Sequence, residues 1–249
     1  MNYGFKNPEI LPDQWILGGQ ATLQPDGQWD DYLPIYEPQF ENGYDTYGCT
    51  VWGTQNAIEI LLKKITGIEY NFSERFNYIL AGVRPPGANP HYVMESIRKY
   101  GLVPNQSLPM APTFEEFIQP DPMDEKHLSI GRHWKSKNTF THSWVFYSSG
   151  DENVEKMKNA LKSSPLCVSV SAWYQNGDVY VDNGQPNTHW CVCFGWNDKG
   201  WKIFDSYDHS VKIYSFDSLI SFCKSISVVP VKKRTFIDFL KELYVSIFN

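Results

Sequence analysis

Residues Asp45–Gly67 read DTYGCTVWGTQNAIEILLKKITG, and this stretch decides the fold. Ile58, Leu61, Leu62 and Ile65 recur at helical spacing, which predicts a helix from about Gly48 to Ile65 with Thr66-Gly67 as its stop. The helix starts on a cysteine, Cys49, behind a glycine and an Asp-Thr turn. The thiolate is the reactive form of cysteine, and a free thiol with a pKa of about 8.5 is mostly protonated at neutral pH. Unpaired N–H groups and the dipole at a helix N-terminus favour the anion by roughly 0.3–1 kcal/mol when exposed. A neighbouring imidazolium is the second way to activate a thiol. A lone cysteine is more often a small buried packing residue. The reading therefore turns on whether the chain supplies a histidine.

Composition sets the frame. The 249 residues are 42% hydrophobic and 16% aromatic, enough to bury a core as one large domain or two packed lobes. The formal net charge is −6 and the longest basic run is Lys232-Lys233-Arg234, so a nucleic-acid partner has no electrostatic support. No stretch approaches the roughly 20 apolar residues that cross a bilayer, so no membrane partner is expected. The start, MNYGFKNPEILPDQW, lacks a basic-then-apolar signal pattern, and the expected location is a cytoplasm. Five cysteines, four of them in apolar C-terminal segments (Cys167, Cys191, Cys193, Cys223), give no pairing framework; reduced thiols are expected.

Residues 1–44 carry turn signals at Pro12-Asp13, Gly18-Gly19 and Pro25-Asp26-Gly27, and read as an irregular packed arm with a short strand or two. A second helix is predicted over Ser73–Ala81, where Ser73-Glu74-Arg75-Phe76 forms a capped first turn. PPGANP, residues 85–90, is a loop, and a third helix runs from about Tyr92 to Tyr100 and stops at Gly101. Leu108–His142 is Pro-rich and polar with little pattern, and reads as an insertion that crosses between lobes. From about Ser143 the texture changes. One helix, Val154–Lys162, precedes apolar runs of strand length: LCVSVSAW, HWCVCFGW, WKIFDSY, VKIYSF and SISVVPV. A helical half of about 45–107 followed by a mostly antiparallel β half of about 143–249 makes a single α+β domain of two lobes.

His189 opens HWCVCFGW just after the loop NGQPNT, which places it at a strand start facing a cleft. Asp205 lies sixteen residues on (205 − 189), at the end of the next strand. Neighbouring antiparallel strands bring the two together, so that Asp205 accepts from the imidazole, fixes its tautomer and stabilises its cation. Taken singly, His189 is a satisfied strand-end histidine and Asp205 a solvated turn residue; their joint placement changes the odds. His189, Cys191 and Cys193 share a strand face, but a structural zinc site takes four ligands in close pairs, and Cys167 and Cys223 sit in core-like runs. No metal or cofactor is expected. His91, His127, His133, His142 and His209 lack a patterned partner and read as surface or loop residues.

Several pieces, in order over roughly residues 40–215, resemble the papain-like cysteine peptidases. GCTVWGTQNAIE is similar to that family's nucleophile helix, with Glu59 where the family carries an acidic residue. FSERFNYILAG resembles its Ser-Glu helix start, and GANPHYVMESIRKYGLV the stretch that lines its cleft. LKSSPLCVSVSA resembles the segment entering its β lobe, and NTHWCVCFGWNDKGWKIFDSYD its histidine strand, Gly turn and third-member strand. The Cys49-to-His189 interval of 140 residues (189 − 49) falls in the family's spacing.

The resemblance implies Cys49 as nucleophile, His189 as acid/base and Asp205 as orienting residue. It implies that Gly87-Ala88 pair with substrate backbone, and that Tyr207 stands in for the Trp that shields the His–third-member bond. Trp52 and Trp190 flank the site and either line it or pack the core. The departures are specific. The C-G-S-C-W signature is replaced by Thr46-Tyr47-Gly48-Cys49-Thr50, Asp205 replaces Asn, and Gly43 stands where the oxyanion-hole Gln belongs. Asn42, or Gln39 if the loop is longer, is the amide nearest that role. The family's disulfide cysteines are missing, and the arm before Cys49 is short for an inhibitory prosegment. The overall texture also resembles papain-like proteins of tailed bacteriophages, which adds a host cytoplasm or a virion as locations.

The expectation is a papain-like fold, with a helical N-terminal lobe and a β-barrel-like C-terminal lobe, that hydrolyses peptide or protein substrates through a thioester. Two alternatives stand beside it. One is an amidase or acyltransferase acting on cell-wall peptides with the same residues, whose compact relatives have shorter Cys-to-His intervals. The other is a catalytically silent fold serving as a binding or virion component.

Overall fold

The computed structural model describes residues 4–6, 21–119, 123–150, 152–184 and 186–231. The turn signals at Pro12-Asp13 and Gly18-Gly19, and the basic run at 232–234, lie outside the described residues. A two-residue strand, β1 (Gly4–Phe5), is followed by a tight hairpin of β2 (Phe40–Glu41) and β3 (Tyr44–Asp45). The helical half holds α1 (Cys49–Thr66), α2 (Glu74–Leu80), the short β4 (Gly87–Ala88), α3 (Pro90–Tyr100), α4 (Phe114–Phe117) and α5 (Glu125–Lys137). The β half runs β5 (Asn138–Phe146), α6 (Asn153–Leu161), β6 (Leu166–Val170), β7 (Tyr174–Asn176) and β8 (Val179–Val181). It finishes with β9 (His189–Trp196), β10 (Gly200–Phe204), β11 (Lys212–Ser215) and β12 (Cys223–Pro230).

The helix signals act as the sequence suggests. Ser73 accepts from the Phe76 N–H and caps α2. Asn89 caps α3 with Pro90 in its first turn, where a missing N–H costs nothing. α1 ends at Gly67, whose left-handed φ of 69° lets its N–H close on the Lys63 carbonyl. α1 is buried from Cys49 through Leu62, so it is the central helix and not a surface one. Its long apolar flank joins β6, β9 and β12 in one core with Trp144, Trp190 and Trp201. Truncating a fully buried Leu61 in such a core costs about 2–5 kcal/mol.

Eight strands form one sheet in the order β5-β12-β6-β9-β10-β11-β8-β7. All its pairings are antiparallel except β11 with β8. β5 and β7 stand at its two ends. The architecture is α+β, with helices packed against a mixed sheet.

Three readings need correction. The stretch Leu108–His142 is not patternless: it contains α4, α5 and the first half of β5. α5 begins on an Asp124 cap that accepts from His127 N, yet only Gly131 of it is fully buried, so the helix carries almost no apolar stripe to read. The hairpin β7–β8 is also invisible in the sequence, because β7 is exposed, β8 is half-buried throughout, and neither bears an alternation. His142 is not a surface residue. Its side chain is 5% exposed, with Nε2 3.0 Å from Glu95 and Nδ1 2.9 Å from the buried Lys224. Burial, only partly offset by Glu95, holds its pKa down at about 4.

Candidate active site

Cys49 opens α1 because the three residues before it form a fixed elbow. The Thr46 hydroxyl accepts from Gly48 N and donates to the Gln39 carbonyl, while Tyr78 Oη donates to the Thr46 carbonyl at 2.8 Å. Tyr47 takes a left-handed φ of 53° and its N–H is held by Asp45 at 2.8 Å. A side chain at Gly48 would collide with the Trp52 ring at 2.6 Å, so the elbow can press against α1 only with glycine there.

β9 brings the second group. α1 packs across it so closely that a Cβ on Gly53 would sit 3.0 Å from the Trp190 carbonyl. The Trp190 backbone, one residue from His189, hydrogen-bonds the Cys49 thiol. His189 is fully buried, and its Nε2 lies 2.6 Å from Asp205 Oδ1. Asp205 follows the last residue of β10, antiparallel to β9, which is the hairpin placement expected from the spacing. Tyr207 packs its ring 5.5 Å from the imidazole on one side, and Trp173 packs 5.8 Å away on another.

Trp173, unnoticed in the sequence, donates from Nε1 to Asp205 Oδ2 at 2.8 Å. Lys212, also unnoticed, lies 3.0 Å from the same oxygen. Burial works against ionisation of Asp205, but the His189 ring and Lys212 outweigh it and hold the carboxyl at about 2. A lysine at the start of an otherwise apolar strand, VKIYSF, was the available sign of Lys212; nothing in SAW marked Trp173.

The remaining candidates divide. Gln39 is fully buried beside the elbow: its Nε2 donates to Asp45 at 3.0 Å and to Tyr207 Oη at 2.8 Å, and its Oε1 accepts from Ser206 at 2.7 Å. Tyr207 Oη also hydrogen-bonds Asp45. Asn42, in the β2–β3 turn, points elsewhere and donates to the Ala111 carbonyl at 3.2 Å. Trp52 packs into the helical-lobe cluster with Tyr78 and Phe117. Trp190 belongs to the main core and stacks on Phe5 with ring centroids 5.6 Å apart and planes 3° from parallel.

Gly87 and Ala88 form β4, and β1 lies along them in parallel register, Gly4 opposite Gly87 and Phe5 opposite Ala88. Lys6 N donates to the Ala88 carbonyl at 3.0 Å, and Phe5 N donates to the carbonyl of Thr188, the residue before His189. Gly4 packs against Tyr47, where any Cβ would meet the carbonyl oxygen at 2.2 Å. With this strand in place Cys49 is fully buried. Burial then dominates its chemistry: it pushes the thiol well above its ordinary value. Asp205 and Asp45 add to the rise, and hydrogen bonds from the Trp190 and Thr50 backbones oppose it. The Thr50 backbone at the start of α1 opposes the rise and is overruled by enclosure.

All five cysteines are buried thiols with no disulfide. Cys191 and Cys193 direct their sulfurs at the carbonyls of Val168 and Gly195. Among the described residues no group of three or more His, Cys, Asp or Glu is placed to hold a metal ion.

No protein-family model and no curated protein sequence matches the chain. Solved structures do. Xylellain, a cysteine protease from Xylella fastidiosa, matches with a TM-score of 0.66 at 14% identity over 94% of this chain and 97% of its own. Digestive procathepsin L 3 of Tenebrio molitor larval midgut matches at 0.61 and 14% identity, over 91% of this chain and 76% of its own. The Clostridial cysteine protease Cwp84 matches at 0.61 and 16% identity; the match covers 82% of this chain and 57% of that one. At these identities the likeness establishes the papain-like fold. None of the three is a phage protein, so the phage reading gains nothing from them.

Proposed function

We propose that this papain-fold chain is a cysteine peptidase that uses Cys49, His189 and Asp205. One observation carries the reading: His189 and Asp205 meet in a buried 2.6 Å contact directly beside the helix start that bears Cys49. A buried ionic contact is by itself weak evidence of stability, so its place next to the Cys49 helix start is what points to chemistry. The named neighbours are cysteine proteases, which supports the same chemistry.

In this reading Asp205 holds Nε2 and Nδ1 serves the thiol. His189 takes the Cys49 proton and the sulfur attacks the carbonyl carbon. The oxyanion that develops meets the Cys49 backbone N–H at the α1 N-terminus and the Gln39 amide, once that amide turns from Asp45 and Tyr207. Collapse breaks the C–N bond, and His189 returns the proton to the departing amine. Water then attacks the thioester, giving its proton to His189, and acid and thiol are released. Asn42, tied to Ala111, has no part in this scheme. The extended Gly87–Ala88 edge takes substrate backbone as an added strand.

A second reading, a silent binding fold, is favoured by the enclosure of Cys49 under β1. One experiment separates the two. The protein is treated with a small haloacetamide across a pH series, and in parallel with a casein or peptide library. An enzyme alkylates at Cys49 with a rate that falls sharply in His189→Ala, and cleaves peptides in a Cys49-dependent way. Cys49 chemistry indifferent to His189, with no cleavage after β1 is released, sinks the peptidase reading.

A further inference from the structure

The sequence puts a carboxylate where the resembling family has an amide, and the surroundings of that carboxylate are unusual. Asp205 Oδ1 faces His189 Nε2, and Oδ2 faces both Trp173 Nε1 and Lys212 Nζ. The side chains of Asp205 and Lys212 are 0% and 2% exposed. Lys212 also reaches Asp208 Oδ2 at 2.6 Å, and its ammonium lies over the Trp173 ring at 5.1 Å and the Tyr180 ring at 5.9 Å. On β11 it takes an inward position, two residues before the buried Tyr214, where a strand places an apolar side chain at lower cost. Burial opposes its charge, and Asp205 and Asp208 more than compensate, so it stays an ammonium.

We propose that Lys212 is a positioning residue for the Cys49–His189 pair: its ammonium cancels the charge of Asp205, so that His189 is oriented by a group with a carboxylate's geometry and an amide's net charge. The proposal rests on the assignment of His189 as acid/base.

The balance is needed because of what else faces the site. Among the described residues, the ionisable groups packed around it are Asp45 with Tyr207 on the elbow side, Asp208 and Tyr36 beyond β10, and the thiols of Cys49 and Cys191. Lys212 is the cation among them. Asp205 unopposed would hold a proton on His189, making it a poor acid towards a leaving amine, and would push the Cys49 thiol further up. Lys212 removes that bias and leaves the 2.6 Å contact intact.

The test is the protonation curve of His189 in the full chain, followed by NMR of the imidazole ring. Removing a unit charge two hydrogen bonds away, at an effective dielectric of about 20, changes proton affinity about ten- to hundredfold. Lys212→Met is therefore expected to raise the affinity of His189 for its proton by that factor. Lys212→Arg keeps the charge and leaves the curve in place. Asp205→Asn moves it the other way, and the Asp205→Asn/Lys212→Met double variant returns it towards the wild type. A curve that moves less than about twofold in Lys212→Met, or a double variant no nearer the wild type than Lys212→Met, overturns the proposal. If Lys212→Met does not fold, Asp205→Asn compared with the double variant measures the same charge, and no rise there is equally decisive. Failure of the peptidase reading looks different: Cys49 alkylation ignores His189→Ala whatever the imidazole curve does.

Discussion

Phe5→Ala should open the site. Phe5 is 3% exposed, stacks on Trp190 at 5.6 Å and touches Phe222 at 5.8 Å. Full burial of such a side chain is worth about 1.5–3 kcal/mol, and an aromatic pair adds about 0.5–1.5. Alanine keeps the backbone bonds to Thr188 and Ala88 and part of the burial, so about 2–3 kcal/mol of closing free energy is lost. Alkylation of Cys49 through the open form scales with the population of that form, so its rate should rise about 30- to 150-fold. The assay is second-order alkylation by iodoacetamide at neutral pH, with peptide mapping to count Cys49 alone. Thermal melting of the variant checks that the rest stays folded. A folded Phe5→Ala protein whose Cys49 reacts no faster than wild type would refute the idea that β1 encloses the thiol.

Gly87→Ala should act on the same strand from the other side, since a Cβ there would lie 1.8 Å from the Gly4 carbonyl and φ is +137°. β1 is expected to detach and Cys49 labelling to rise, read by the same mapping. Asp205, held at about 2 against an unfolded value near 3.9, stabilises the fold above pH about 4. That contribution, about 2–3 kcal/mol, is lost as pH falls from about 4 to about 2. Urea midpoints should show less acid sensitivity over that window in Asp205→Asn. Lys224, pushed by burial to about 7, is neutral in the fold above that pH, while the unfolded chain binds a proton up to about 10.5. Stability therefore rises with pH above about 7, and wild type should gain about 2–3 kcal/mol on Lys224→Met between about pH 6 and about pH 9 in denaturant titrations.

The elements that were legible in the sequence are those whose burial matches a simple period. α1 is buried on nearly every side and still ends on Thr66-Gly67, β9 is an apolar run behind His189, and Ser73 caps as its type suggests. His189 and Asp205 were legible as a pair because a hairpin fixes their approach. What was hidden depends on tertiary contact. α5 has a polar face nearly all round. Lys212 is a charge buried because two carboxylates await it, and no local pattern announces those carboxylates. β1 takes its partner from β4, more than eighty residues away, and Gly-Phe alone carries no strand signal. The alternative of Gln39 or Asn42 is another case: both are loop amides, and only the folded turn sends Asn42 to Ala111 and Gln39 to Tyr207.

The segment over Gly87–Ala88 is covalently part of the molecule that it covers. A tethered ligand competes at an effective concentration set by its connection, whatever the dilution of the protein. If peptide substrates pair with Gly87–Ala88 as proposed, each contends with a rival that cannot be diluted away. Inhibitor constants measured on the intact chain will understate intrinsic affinity by the fraction of time the resident strand is away, and two preparations differing only by nicking near residue 6 would behave as different proteins.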